Sequence, residues 1–367
     1  MQLTPEIKQQ LAEQKKQCVF CKLISGEMQA KTVFEDNKTM ALLDIYPAIK
    51  GHTLFMTKEH YPIMPYLPPD EFQQLFGLVP QLCNAVKKAR VATGVNLFIA
   101  NGGVAGQQAP HFLIHLFPRE TGDGFFNFLF KEKQTLEEEK VQILLHNFPL
   151  MMQNHFARTP GSWHSGNGER SIFLQSKVAA GQVIYEDEKV LCLLSNKGVV
   201  KGHIKIYSKV EAKDIEKLSS EDSAHLFYVA SYAATLLFEG LKVQGTNIIL
   251  KSGVSDDNLD GELCLHVLPR MPEDGLNKTL LWEPKQPSYN LDDILGKLKD
   301  KTWSIKYKEI KKDIDTKTKK EPFFVKSEVV RLSNSQQGDE DVDKQYGDSQ
   351  EESSEEEIKK AIEKVKN

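Results

Sequence analysis

Residues 33–52 read VFEDNKTMALLDIYPAIKGH, and residues 183–203 read VIYEDEKVLCLLSNKGVVKGH. At an offset of 151, the stretch from Val33 to His52 matches the stretch from Ile184 to His203 without a gap and keeps Glu-Asp, Lys, Leu-Leu and Lys-Gly-His. The same offset pairs further residues, namely Gly94 with Gly245, Asn96 with Asn247, His115 with His266, Arg119 with Arg270 and Asp123 with Asp274. Because one register holds from Val33 to Gly124, the chain contains two copies of one folding unit.

Each copy combines short apolar strands with one long helix. The strand patterns cover residues 31–44, 53–58, 96–100 and 111–117 of the first copy and 246–251 and 263–268 of the second. Pro69–Arg90 has apolar residues at helical spacing, acidic residues in its first turn and basic residues in its last, and residues 221–241 repeat this helix. A further helix, interrupted near Pro149, is predicted for residues 135–155. The pattern predicts an α+β fold.

Composition excludes several classes of protein. The 367 residues are 40% hydrophobic and 27% charged, and no apolar run has the ~20 residues that a membrane helix needs. A net charge of −4 argues against a globally basic nucleic-acid binder. Five cysteines are too few and too scattered for a disulfide framework, and the N-terminal residues lack the apolar stretch of a secretory signal. We therefore expect a cytoplasmic protein with reduced thiols.

Cys18 and Cys21 form a CxxC motif, which alone is compatible with zinc binding, redox exchange or chance. Two histidines, His60 and His111, are candidates to complete a tetrahedral site. At the repeat offset, these four residues become Glu169, Ile172, Glu211 and Glu262. Residues that bind one metal lose their purpose together, so this joint replacement favours a Cys2His2 zinc site in the first copy.

Residues 111–118 read HFLIHLFP, and strand alternation would place residues 111, 113 and 115 on one face. This stretch resembles the signature of the histidine triad (HIT) family, His-x-His-x-His followed by two apolar residues, and FCKLISGE, KEH and NGGVAGQ are also similar to the family. The resemblance implies that zinc is held by Cys18, Cys21, His60 and His111. It also implies that Leu113 replaces the middle histidine, the nucleophile that attacks the α-phosphate, and leucine cannot form that intermediate.

The resemblance further implies a nucleotide site in the first copy. Asp44 would bind the ribose hydroxyls, a base pocket would be formed by Phe20, Leu42 and Ile45, and the phosphate would face Asn101, Gln107 and His115. Gln108 stands where the family usually has serine. The second copy has Ser195 and Ser252 in place of Asp44 and Asn101, so no nucleotide is expected there. Its Cys264, at the nucleophile position, is expected to be a buried structural residue, and His52 and His203, kept in both copies, are expected to serve the fold.

Members of the family pair two chains into a continuous sheet, so the duplication implies an intramolecular pseudo-dimer in which the second copy is a scaffold. The favoured interpretation is a zinc-containing protein that binds a purine nucleotide or nucleotide conjugate without the usual histidine-nucleophile activity. Two alternatives stay open. One is a nucleotide hydrolase or nucleotidyltransferase acting through His115 or a water, and the other is an adaptor that binds a protein or ribonucleoprotein partner through residues 301–367.

The expected division of the chain follows from these features. It comprises an N-terminal helical extension (1–17), a HIT domain with the zinc site (18–125), a helical extension and linker (126–170), a degenerate HIT-like domain (171–300) and a charged tail (301–367). Residues 301–320 carry eight basic and three acidic residues, whereas residues 339–357 carry ten acidic residues and one lysine. Such blocks usually stay solvated, so we expect a mostly disordered tail with a short helix near the C-terminus.

Overall fold

The computed structural model describes residues 5–125, 128–158 and 168–308. The helices are α1 (Pro5–Gln17), α2 (Val19–Ile24), α3 (Pro69–Arg90), α4 (Glu138–Arg158), α5 (Ile172–Val178), α6 (Ser220–Leu241), α7 (Asn277–Leu280) and α8 (Leu291–Thr302). The strands are β1 (Thr32–Glu35), β2 (Thr39–Leu43), β3 (Thr53–Thr57), β4 (Gly94–Asn101), β5 (Ile114–Arg119), β6 (Gly181–Glu186), β7 (Val190–Ser195), β8 (Ile204–Ser208), β9 (Gly245–Gly253) and β10 (Cys264–Arg270). Among the described residues, no helix is long and apolar enough to cross a membrane.

All ten of these strands belong to one antiparallel sheet, in the order β1-β2-β3-β5-β4-β9-β10-β8-β7-β6. The two copies meet at its centre, where β4 pairs with β9 from Gly94 opposite Gly253 to Asn101 opposite Thr246. The expected α+β pseudo-dimer with a continuous sheet is therefore confirmed. Behind one face of the sheet, α3 and α6 pack against each other, with Phe76 stacked on Phe227 at 4.5 Å between ring centroids.

The long helices form where their local signals predict. Helix α3 has the predicted bounds, Pro69–Arg90, because Pro69 suits the first turn, Asp70 and Glu71 follow it, and Val91 ends the helix in a left-handed conformation. In α6, the Ser219 side chain caps the helix by accepting a hydrogen bond from the Asp222 N–H. Both helices are 22 residues long.

Helices α4 and α8 are exchanged between the copies. Helix α4 follows the first copy in sequence but packs on α6 and β6 of the second, whereas α8 follows the second copy and packs on α3 and β1 of the first. The Thr302 hydroxyl donates to the Val33 carbonyl oxygen at 2.7 Å, and Ile294 and Leu298 are buried in the main core. Each half therefore depends on a helix supplied by the other.

Three predicted boundaries differ from the structure. Helix α4 starts at Glu138 and continues through Pro149, because Leu144, Phe148 and Met152 pack into the core on both sides of that proline. Residues 301–308 belong to the folded part, since Thr302 and Ile305 are buried. The predicted linker around residues 160–167 and the acidic segment and helix within 309–367 lie outside the described residues.

The third difference concerns the triad stretch, where β5 begins at Ile114 and not at His111. The residues before Ile114 are held by other contacts. The Phe112 N–H donates to the Tyr61 carbonyl oxygen at 2.6 Å, and His111 Nε2 lies 2.9 Å from the Thr57 carbonyl oxygen. Apolar residues nevertheless alternate as predicted, because Phe112, Ile114 and Leu116 face the helix side of the sheet.

The exchange of α8 generates a stability prediction. Leu298→Ala should lower the free energy of unfolding by about 2–5 kcal/mol, because it opens a cavity at a fully buried position between α8 and the first copy. Trp303→Ala is the control, since Trp303 is 81% exposed and should change stability by no more than about 0.5 kcal/mol. Urea unfolding of both variants measures this, and equal losses would contradict the packing of α8.

Candidate functional site

Four predicted metal ligands meet in the first copy, although they come from three separate parts of the chain. Cys18 and Cys21 flank the start of α2, His60 follows β3 and His111 precedes β5. Their ligand atoms all lie within 4.8 Å of one another, and Cys18, His60 and His111 are buried. The cluster is a possible metal site with two sulfur and two nitrogen donors.

The spacing of these atoms fits a tetrahedral ion. Cys21 Sγ lies 3.3 Å from His60 Nδ1, and His111 Nδ1 lies 3.6 Å from both sulfurs. Zinc with bonds of about 2.3 Å to sulfur and about 2.05 Å to nitrogen would separate an S and an N ligand by about 3.6 Å. His111 Nε2 lies against the Thr57 carbonyl oxygen, so it carries the proton and leaves Nδ1 with a lone pair facing the sulfurs.

One of the two thiols, that of Cys18, readily loses its proton. A hydrogen bond from Cys21 lowers the pKa of Cys18, and the same contact raises the pKa of Cys21, so the pair shares one proton. A thiolate is the form that binds a metal. The donor set, its spacing and the orientation of His111 all fit a zinc ion.

The second copy has no counterpart of this cluster among its described residues. Glu169 and Glu211 are exposed, and Ile172 is 86% exposed. Glu262, at the position of His111, forms an ion pair with Lys177. An ion pair therefore stands where the first copy gathers its cysteines and histidines.

A second polar cluster lies in the first copy, next to the triad strand. His52 Nδ1 lies 3.1 Å from Asp44 Oδ2, and His52 Nε2 lies 3.1 Å from His115 Nδ1. His52 is fully buried, which lowers its pKa to about 3, and burial beside His52 also lowers the pKa of His115. Both imidazoles are therefore neutral near pH 7.

Two arrangements of protons fit the hydrogen-bonded series Asp44–His52–His115. They differ in whether Nε2 of His115 carries a proton or a lone pair. If the Ala48 N–H, at 3.3 Å, donates to His52 Nδ1, then His52 Nε2–H donates to His115 and His115 presents an Nε2–H donor. If Nδ1–H of His52 instead donates to Asp44, the chain reverses and His115 presents a lone pair. A ligand that engages Asp44 favours the first arrangement, in which His115 can donate to a phosphate.

An apolar cluster adjoins Asp44, His52 and His115 on the face of the sheet opposite α3. It contains Met40, Leu42, Leu54 and Met56, with the partly buried Phe20 and Leu113 packed against it. The structure thus brings together two of the three residues expected at a base pocket, while Ile45 is 51% exposed and lies outside the cluster. Leu113 extends the apolar surface toward His115 where a nucleophile would otherwise be.

The two amides expected at a phosphate are used inside the protein. Asn101 accepts from the Met64 N–H at 3.1 Å and donates to the Thr246 hydroxyl at 3.2 Å. Gln107 accepts from the Gly102 N–H at 2.9 Å and donates to the carbonyl oxygens of Pro62 and Ala109. Their side chains shape the loop of residues 102–107 and do not face His115 as free donors.

Trp282 is a site residue that the sequence did not reveal. Its ring lies edge-on to His115 and His52, at 5.1 and 5.5 Å between centroids, although it belongs to the second copy. Leu281 beside it contacts Gly106, where any side chain would collide with it. The repeat register gives no signal for either contact, because the equivalent residue to Trp282 is Lys131.

The pocket of the second copy is filled from the first copy. His203 Nε2 and His266 Nδ1 keep the histidine pair at 3.0 Å, but Phe130 lies edge-on to His266 at 5.0 Å and Glu132 pairs with Lys205 at 2.7 Å. Cys264 is buried, which raises its pKa to about 12. Elsewhere in the second copy, His225 Nε2 lies within hydrogen-bond distance of Asp187 Oδ2, at 2.7 Å.

Comparisons with known proteins agree with this architecture. The family model for the HIT domain matches residues 25–122 and again residues 176–273. An uncharacterized HIT-like protein of Methanocaldococcus jannaschii is 43% identical over 29% of this chain and 82% of its own length, and an adenylylsulfatase of Arabidopsis thaliana is 39% identical over 29% of this chain and 54% of its length.

Other similar proteins have related descriptions. An adenosine 5′-monophosphoramidase of Candida albicans is 30% identical over 34% of this chain and 93% of its length. A zinc-bound histidine triad protein from Mycobacterium smegmatis is 32% identical over 30% of this chain and 81% of that one, with a TM-score of 0.28. Because the HIT model covers more than half of the residues, the chain belongs to the HIT family.

Proposed function

We propose that this protein binds a purine nucleotide, or a small conjugate of one, in its first repeat and does not use it as a histidine-nucleophile enzyme. Leu113 carries the proposal. It occupies the middle triad position and packs into an apolar cluster, whereas Asp44, His52 and His115 around it keep a complete hydrogen-bonded chain. A protein with these residues retains the means to bind a nucleotide and lacks the group that would form a covalent bond to it.

The chemistry of binding follows from the two clusters. Each Asp44 oxygen can accept a further hydrogen bond, so the carboxylate suits a pair of ribose hydroxyls. The apolar cluster with Phe20 and Leu42 suits a base, and neutral His115 suits a phosphate oxygen as a donor. The related adenylylsulfatase and adenosine 5′-monophosphoramidase act on adenosine nucleotides by name, which makes AMP the first ligand to test.

The same proposal includes a structural zinc ion held by Cys18, Cys21, His60 and His111. Bound there, the ion would cross-link the N-terminal cysteines to the segment that precedes the triad strand. Five free cysteines, with the CxxC pair among them, suit a reducing compartment such as the cytoplasm. The ion would act on the nucleotide site only through the fold, because Phe20 of the apolar cluster lies between the two cysteines that would hold it.

Elemental analysis tests the zinc site. We expect one zinc per chain, lost in His60→Ala and kept in Glu211→Ala, the equivalent position of the second repeat. Removal of the ion with a chelator should lower thermal stability measurably, since structural zinc contributes ~10 kcal/mol or more in small domains. Two zincs per wild-type chain, or none, would reject this assignment.

Nucleotide binding is tested by calorimetric titration with AMP. Asp44→Ala should weaken binding by about 10-fold or more, because it removes a carboxylate that accepts from two hydroxyls. Ser195→Ala changes the equivalent residue of the second repeat and should leave the affinity unchanged. If Asp44→Ala binds AMP as tightly as the wild type, the ribose assignment is wrong.

The missing nucleophile is tested by restoring it. Leu113→His should create measurable hydrolysis of adenosine phosphoramidate, since nucleophile removal ordinarily costs many orders of magnitude in rate. Cys264→His, at the equivalent position of the second repeat, should stay inactive while still binding AMP in the first. Hydrolysis by the wild-type protein would instead support the alternative in which His115 or a water carries the reaction.

A further inference from the structure

The second repeat has no residues of the same type as Asp44 and the four candidate metal ligands, but it keeps the polar residues Asn247, Arg270 and Asp274. Both Asn247 and Arg270 are fully buried. A scaffold has no need of a buried amide and a buried guanidinium, because burying such groups costs free energy unless each is fully hydrogen-bonded. The hydrogen bonds of these three residues show which part of the protein they position.

The three side chains form a line that crosses into the first repeat. Asp274 accepts from Arg270 Nε at 2.6 Å and from Nη2 at 3.0 Å, and Arg270 Nη1 donates to Asn247 Oδ1 at 2.5 Å. Asn247 Nδ2 then donates to the Ala105 carbonyl oxygen at 2.8 Å. The line therefore begins in the loop after β10 and ends on the loop of residues 102–107.

The start of β9 holds that loop at further points. The Thr246 hydroxyl accepts a hydrogen bond from Asn101 Nδ2. The backbone of Gly102 is so close that a Cβ atom added there would lie 3.1 Å from the Gln244 carbonyl oxygen. A Cβ atom at Gly245 would lie 2.8 Å from the Asn101 carbonyl oxygen and 2.9 Å from Val104 Cγ2. One side of the loop therefore lies against the second repeat, while the Gln107 side chain donates to the Pro62 carbonyl oxygen of the first.

Asn96 and Arg119 of the first repeat, the counterparts of Asn247 and Arg270, also contact a loop of the opposite repeat, but they bond to a side chain there and not to the backbone. Asn96 Nδ2 and Arg119 Nη1 donate to the carboxylate of Asp257 at 2.9 and 2.6 Å. Asp257 occupies the repeat position of Gly106, and Asp256 and Asp260 lie beside it. That loop is closed by its own acidic side chain, which disfavours a phosphate there, whereas residues 102–107 of the first repeat include no charged side chain and are held by the amides of Asn247 and Gln107.

We propose that Asn247, fixed by Arg270, is a positioning residue for nucleotide binding in the first repeat. By holding the Ala105 carbonyl oxygen in the boundary between the repeats, it keeps that partial negative charge away from the phosphate side of the loop. It also fixes the turn at Gly106, which contacts Leu281, the neighbour of the Trp282 ring that lies 5.1 Å from the ring of His115. This role rests on the proposed nucleotide site, but the conformation of the loop is measurable without any ligand.

The experiment compares Asn247→Ala with Asn96→Ala, the same truncation at the symmetry-related position. Asn247→Ala should weaken AMP binding by about 10-fold, whereas Asn96→Ala should stay within about twofold of wild type. In the ligand-free proteins, hydrogen exchange of backbone amides 102–108 should accelerate only in Asn247→Ala. The free energies of unfolding of both variants, measured in urea, should fall by similar amounts, which removes general destabilisation as the cause.

Equal losses of affinity in the two variants, or unchanged exchange in residues 102–108, would overturn the assignment. If Asn247→Ala does not fold, Asn247→Asp replaces it, because the carboxylate keeps the contact to Arg270 but cannot donate to the Ala105 oxygen. It should weaken AMP binding and accelerate exchange in the same way. A wild-type protein that does not bind AMP would refute the proposed function, while the exchange measurement still decides whether Asn247 holds the loop.

Discussion

The pairing of β4 with β9 is the contact on which the rest of this structure depends. It runs over the full length of β4 and turns two half-sheets into one. Both strands are buried at the centre of the sheet. If the repeats separated, β4 and β9 would become exposed edge strands and would lose these hydrogen bonds. The pairing also brings the first residues of β9 against the loop of residues 102–107, so the joint between the repeats forms part of the candidate site.

Two kinds of exchange strengthen this joint. First, α4 and α8 each pack on the opposite repeat. Second, Phe130 contacts the histidine pair of the second repeat, and Trp282 contacts the histidine pair of the first. The pockets beside the two histidine pairs differ because different side chains reach them from the opposite repeat. Phe130 and Glu132 fill the second pocket, where Glu132 pairs with Lys205, whereas Trp282 borders His115, and His115 stays linked to His52 and Asp44. One backbone plan thus gives one filled pocket and one candidate binding site.

Local sequence signals predicted much of this correctly. The duplication could be inferred from the match of the chain with itself at an offset of 151. The bounds of α3 and the fold class could be predicted from periodicity and from the residues at the helix ends, because those signals act within a few residues of each other. The cluster of Cys18, Cys21, His60 and His111 could be singled out because the second repeat changes all four. Comparison between repeats acted here as an internal control that a single domain would not offer.

Long-range contacts explain what the sequence did not reveal. Nothing in the periodicity shows that Trp282 reaches His115. Nor does it show that the Asn101 amide bonds to Met64 and Thr246, or that the Gln107 amide bonds to Gly102 and Ala109. The start of β5 was misplaced because Phe112 and His111 are held by Tyr61 and Thr57, which lie far away in sequence. These contacts depend on the packed arrangement of the two repeats and not on any local pattern.

We propose that the two repeats together build a single nucleotide site. A crystal structure of the intact chain with AMP bound tests this proposal most directly. We expect one AMP per chain, in the first repeat, with its ribose at Asp44, its base against Phe20 and Leu42 and its phosphate beside His115. An AMP bound beside His266 in the second repeat, or one in each repeat, would contradict it.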